Sequence, residues 1–150
     1  MTSSELEELY REVILDHSRR PHGYGLLGGT AATSHQINPT CGDELTVELH
    51  LEPGPDGVAR VVSANWEGHG CAISQASASL LSDLASGLTV DELASRIDAF
   101  RDAMRSRGAI APSEELFGDA SVLAGVSRYP ARVKCAMLGW VAAEQALAAV

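Results

Sequence analysis

Between Glu44 and Trp66 the chain carries a period of two that leaves little choice of local structure. Leu45, Val47, Leu49 and Leu51 are apolar, and Thr46, Glu48 and His50 between them are polar. That alternation describes a strand with one buried and one wet face. The segment Glu52-Pro-Gly-Pro-Asp-Gly57 follows, and Val58 to Trp66 returns as a second strand-like run. Asp-Gly immediately before a returning run is a hairpin signal. Ala31 to Ile37, closed by Asn38-Pro39, adds a third and weaker strand. The economical arrangement is a small three-stranded antiparallel sheet.

The rest of the chain is helical. Ser4 and Glu7 make an S-x-x-E capping box for a helix to about His17, with Leu6, Leu9, Tyr10, Val13 and Ile14 at helical spacing. Residues 22–30 hold four glycines and predict a loop. From Cys71 onward Ile73, Ala76, Leu80, Leu81 and Leu84 form one stripe ending at Gly87. The small residues among them predict close packing against the sheet. Thr89 and Glu92 open another helix that continues through Leu93, Ile97, Phe100 and Met104 to Gly108. Residues 109–128, with Pro112, Gly118 and Gly125, are expected to be mostly loop with one helical turn. Pro130 opens the last helix, with Val133, Met137, Trp140, Val141 and Leu147 on its inner face. Strands followed by helices, after one N-terminal helix, is the α+β pattern, with helices packed on one side of the sheet. A chain of 150 residues suits one domain, 1–150.

Charge and composition narrow the function. Lys and Arg number 11 against 20 Asp and Glu, a formal net charge of -9. That field opposes a phosphate backbone, so nucleic acid is not the expected partner. No apolar run approaches the ~18 residues a membrane-spanning helix needs. No leader-like apolar segment opens the sequence, so a cytoplasmic protein with no membrane partner is expected. Three cysteines are an odd number, and a reducing compartment disfavours pairing any two of them.

The three thiols therefore carry the chemical question. Cys41 lies in Asn38-Pro39-Thr40-Cys41-Gly42-Asp43, a turn between strands; Cys71 follows Gly68-His69-Gly70 and begins a helix; Cys135 is in the opening turns of the last helix. Taken singly, each reads as a small core hydrophobe. The glycine-rich turns and the carboxylate two residues after Cys41 shift the balance, and a helix N-terminus favours thiolate. Gly42 lets Cys41 and Asp43 point the same way from a tight turn. If all four converge, three thiolates and one carboxylate suit Zn²⁺, with iron the runner-up. Asp43 has a second reading, as the acceptor that holds the Cys41 turn.

In this order the segments Asn38 to Asp43, Glu67-Gly68-His69-Gly70-Cys71-Ala72-Ile73-Ser74 and Pro130-Ala131-Arg132-Val133-Lys134-Cys135 resemble the SufU branch of the IscU/NifU N-terminal family. Leu9 to His17 extends the resemblance to the first helix, so nearly the whole chain is covered. The resemblance implies iron–sulfur cluster assembly and the corresponding α+β fold. Two features set this chain apart from IscU scaffolds: Lys134 stands where they carry histidine, and about twenty extra residues separate the second and third cysteines.

By that resemblance the zinc ligands are Cys41, Asp43, Cys71 and Cys135. The expected partner is a pyridoxal-phosphate cysteine desulfurase, SufS-like, whose persulfide sulfur Cys41 accepts as catalytic nucleophile and passes on to downstream SUF-type assembly proteins. A histidine of the desulfurase is expected to replace one cysteine on zinc and so free Cys41. Arg132, Lys134 and His69 are auxiliary candidates: the two cations to steady thiolates or solvate a helix face, and the histidine as a substitute ligand. His17, His22, His35 and His50 read as surface or loop residues, and Trp66 and Trp140 as core. The alternatives are a scaffold that assembles a [2Fe–2S] cluster on the same cysteines, and a structural zinc module. A zinc deaminase would need H-x-E paired with P-C-x-x-C, and that pair is absent because no P-C-x-x-C occurs.

Overall fold

A computed structural model describes residues 3–29, 31–40 and 42–150, and their side chains except those of residues 3, 4 and 6. The elements are α1 (Ser3–Arg19), β1 (Ala32–Asn38), β2 (Asp43–Pro53), β3 (Ala59–His69), α2 (Ala72–Ala85), α3 (Val90–Arg105), α4 (Glu114–Phe117), a 3₁₀ segment (Gly118–Arg128) and α5 (Pro130–Ala148). The strands form one antiparallel sheet in the order β1-β2-β3. This is the α+β arrangement the sequence predicts, with the N-terminal helix first.

Period two does its work in β2. Leu45, Val47 and Leu49 are buried, and they face the helix layer in which α5 lies against β1 and β2 and α2 lies against β3 and α5. Opposite Leu51 the register slips, so that Val61 pairs and Val62 turns outward. Stripe expectations hold less evenly. In α1, Tyr10, Val13 and Ile14 pack on the core while Leu9 is exposed; the capping box at Ser4 and the place of Leu6 rest on side chains outside the described set. In α5, Met137 and Trp140 are buried, but Val133, Val141 and Leu147 are only partly so. Ala136, Ala142, Ala143 and Ala146 are as fully buried as Trp140, because this helix is surrounded by neighbours and small side chains fit where they come closest. The capping box Thr89–Glu92 is present, each backbone N–H donating to the other side chain at 3.1 Å.

The one helical turn expected within residues 109–128 is α4, but Gly118–Arg128 departs from the loop expectation. Phe117, Ala120, Val122, Leu123 and Val126 join the core from α4 and the 3₁₀ segment. Eclipsed three-residue turns leave no 3.6-residue stripe to be read from sequence.

One polar side chain on the outer face anchors the glycine-rich loop. Glu48, 5% exposed, accepts the backbone N–H of Leu27 at 2.8 Å and of Gly28 at 3.2 Å, and His50 Nε2 lies 3.0 Å from its Oε1. Burial alone would raise the Glu48 pKa, but the His50 hydrogen bond and the two amides hold it below the usual glutamate value. The unfolded chain therefore takes up this proton first as pH falls. The stabilisation is present above the ordinary carboxylate range and is lost as pH drops through the lowered value. Glu48→Gln is expected to cost about 1 kcal/mol at neutral pH, at the lower end because water reaches the exposed loop. Urea unfolding at neutral and acid pH checks this: the deficit should vanish in acid, and an equal deficit at both would refute the charge assignment.

Candidate metal centre

The alternation that buries Leu45, Val47 and Leu49 also assigns Asp43 its direction. Two residues before Leu45, it shares the inner face and is 2% exposed. Its carboxylate reaches the start of α2, where the Cys71 backbone N–H donates to Oδ1 at 3.0 Å. Negative charge is favoured at that end of a helix. Cys71 is the residue preceding α2; its Sγ lies 3.9 Å from Asp43 Oδ2 and 3.6 Å from Ser74 Oγ. Cys135 comes from the second turn of α5, is 6% exposed, and has Ala131 O 3.9 Å from its sulfur. One Asp43 oxygen and the sulfurs of Cys71 and Cys135 all lie within 4.8 Å of one another. Three residues from three elements, separated by up to 92 positions (135 minus 43), meet at one end of the sheet.

Gly70 makes the close approach possible. A Cβ there would stand 2.4 Å from Ser74 Oγ and 2.7 Å from Asp43 Oδ1. On the other side of the cluster the β1–β2 turn is closed by Gly42 N–H donating to Asn38 O at 2.8 Å, with Gly42 at φ +73 as its position requires. Cys41, the predicted nucleophile and ligand in this turn, lies outside the described residues. Asn38 is 7% exposed; its Oδ1 accepts Thr40 N–H at 3.2 Å, and among the described residues its Nδ2 has no partner.

The auxiliary candidates are exposed. His69 is three-quarters exposed and its Nε2 lies 3.6 Å from Glu44 Oε2. Arg132 is exposed and stacks over the Tyr129 ring, 5.4 Å from its centroid, and Lys134 is exposed on the same helix turn. Ser74 was not singled out by sequence, and the burial of His17 corrects the surface expectation: it is 6% exposed. Burial, reinforced by the neighbouring His22 ring, holds the His17 imidazole below its ordinary pKa. Its spacing from Tyr10, Val13 and Ile14 is the signal that places it on the buried stripe.

Among the described residues no helix is long and apolar enough to cross a membrane. Residues 9–136 match the model of the NifU-like N-terminal domain. The chain is 35% identical over 147 residues to the iron–sulfur cluster assembly scaffold protein IscU of Streptococcus pyogenes serotype M1, covering 98% of this chain and 87% of that one. It is 38% identical over 146 residues to the zinc-dependent sulfurtransferase SufU of Bacillus subtilis strain 168, covering 97% and 94%. Among solved structures, a protein assigned as an iron–sulfur cluster assembly scaffold for the SUF system of Fervidobacterium islandicum AW-1 superimposes with a TM-score of 0.77 at 30% identity, covering 94% of this chain and 98% of that one. With the matched model spanning most of its length, the chain belongs to the NifU-like N-terminal domain family, the IscU/SufU proteins of iron–sulfur cluster assembly.

Proposed function

We propose that this chain is a zinc-dependent sulfur acceptor that works with a cysteine desulfurase, with Cys41, Asp43, Cys71 and Cys135 as the zinc ligands and Cys41 as the acceptor. The observation that supports it is the convergence of a buried carboxylate and two thiols within 4.8 Å. Such a donor set fits zinc, since ligands at about 2.0–2.3 Å from a tetrahedral ion stand about 3.3–3.8 Å apart. A bound zinc ion keeps its thiols deprotonated at neutral pH.

This chain's own residues do the rest. Asp43, bonded to the Cys71 amide, holds one oxygen toward the sulfurs. The Cys41 thiolate attacks the outer sulfur of a persulfide on the desulfurase cysteine. The new S–S bond forms at Cys41, the old one breaks, and the desulfurase cysteine leaves as thiolate. Charge and oxidation level balance across the pair. A scaffold role, with a [2Fe–2S] cluster on the same thiols, is the second reading, favoured by the scaffold-named relatives.

Metal analysis of protein isolated without added metal tests both. About one zinc per chain is expected, retained in wild type and lost in Asp43→Ala. Gly70→Ala should weaken metal affinity about tenfold with little change in stability, because the added methyl displaces side-chain atoms of Ser74 and Asp43 and no backbone. Iron with acid-labile sulfide moves the scaffold reading to the front, and full metal in Asp43→Ala removes Asp43 from the ligand set.

A further inference from the structure

A second cluster of ligand-bearing side chains lies away from the cysteines. His17 at the end of α1, His22 in the turn after it and Asp83 in the last turn of α2 place two ring nitrogens and a carboxylate oxygen within 4.8 Å of one another. Cys71 and Asp83 bracket α2, so at 1.5 Å per residue the two clusters stand roughly 18 Å apart along the helix.

Hydrogen bonds hold both histidines in place. Ser79 Oγ lies 2.7 Å from His17 Nδ1 and accepts the His22 backbone N–H at 2.7 Å. Trp66 Nε1 donates to the His22 carbonyl at 2.9 Å, and backbone bonds join Trp66 to Gly23 and Gly25. Asp83 Oδ2 lies 2.7 Å from His22 Nδ1. His17 is thus held through Nδ1 by the Ser79 hydroxyl, as metal-bound histidines commonly are, while His22 Nδ1 and Asp83 Oδ2 would take an ion between them in place of their mutual hydrogen bond. His17 is buried, whereas His22 and Asp83 are about half exposed, so an ion has a path from solvent. The groove beside Asp83 also carries Glu115 and Asp119 against a single cation, Arg96, and its field attracts cations.

We propose that His17, His22 and Asp83 form a second, thiolate-free site for a divalent first-row transition-metal ion. Two imidazoles and one carboxylate, with positions left for water, are a donor set that iron, zinc, cobalt and nickel all accept. Open coordination and two half-exposed ligands make it a site of exchange, in contrast to the cysteine cluster, where Asp43 and Cys135 are buried and only Cys71 is exposed.

Anaerobic Co²⁺ titration of the full metal-free chain tests this, because thiolate-bound cobalt shows a sulfur-to-metal charge-transfer band and cobalt on histidine and carboxylate does not. Wild type should bind a second equivalent that adds no charge-transfer intensity. His22→Gln and Asp83→Asn, both at partly exposed positions, should weaken that equivalent ~10-fold or more and leave the charge-transfer band intact. Circular dichroism verifies that both variants fold. A Cys71→Ser variant separates the two readings: a weakened band with the band-free equivalent retained is expected whether or not the cysteine cluster transfers sulfur. No band-free equivalent in wild type overturns the proposal. So does a band-free equivalent of unchanged affinity in both His22→Gln and Asp83→Asn.

Discussion

Cys41→Ala should leave the fold intact and abolish sulfur acceptance, a loss on the order of 10³-fold or more because the attacking atom itself is gone. Desulfurase turnover with this variant should fall to the rate seen with no acceptor. The competing acceptors are the other two thiols, and their surroundings differ. Cys135 is 6% exposed and closed off within α5. Cys71 is exposed, but its sulfur stands 3.9 Å from the Asp43 carboxylate, whose charge opposes an incoming anionic persulfide. Mass spectrometry of trapped persulfide decides among them. Sulfur on Cys41 in wild type and none on Cys41→Ala is expected; persulfide on Cys71 in the variant at wild-type yield would sink the assignment. A structural zinc module predicts a different pattern, in which the variant loses stability and there is no transfer to lose.

Trp140→Ala is expected to be the most damaging core substitution. The indole is fully buried, stacks on Phe100 with centroids 3.9 Å apart and planes 7° from parallel, and donates from Nε1 to Ser77 Oγ at 2.8 Å. Ser77 in turn donates to Ala136 O at 2.6 Å, so the indole is tied to both α2 and its own helix. Truncation removes the ring from α5, α3 and α2 at once. Large-to-alanine changes of this kind cost about 3–5 kcal/mol. At about 2–4 °C per kcal/mol for a chain of this length, the melting temperature should drop by roughly 6–20 °C. Trp140→Phe, which keeps the stack and loses the Ser77 bond, should recover most of that. A drop of less than 3 °C for Trp140→Ala, measured calorimetrically at one pH and fixed metal content, would show that the site collapses around the cavity.

What could be read from residues differs from element to element for physical reasons. The β2 strand was legible because alternation is a local signal, and it carried Asp43 to the helix face without any tertiary information. The α3 cap was legible because Thr89 and Glu92 satisfy each other within one turn. The 3₁₀ segment was not, since its side chains bury through contacts with α1, α2, α3 and α5 that no short window contains. His17 fell between: its spacing continues the α1 stripe, yet a titratable residue is placed on a surface by habit unless its partner, here Ser79 sixty-two positions away, is known.

Residue order alone determined the α+β class, the three cysteine motifs and the family, because each rests on a pattern within a few residues of itself. The tertiary structure decided that a carboxylate at the start of β2 and thiols at the start of α2 and in α5 occupy one small volume. It also decided that two histidines and Asp83 gather at the far end of the same helix. Those meetings depend on how α2 and α5 lie across the sheet, with small side chains such as Ala78 brought up against Gly139. Contacts of that kind are a property of the packed whole and have no local signature to read.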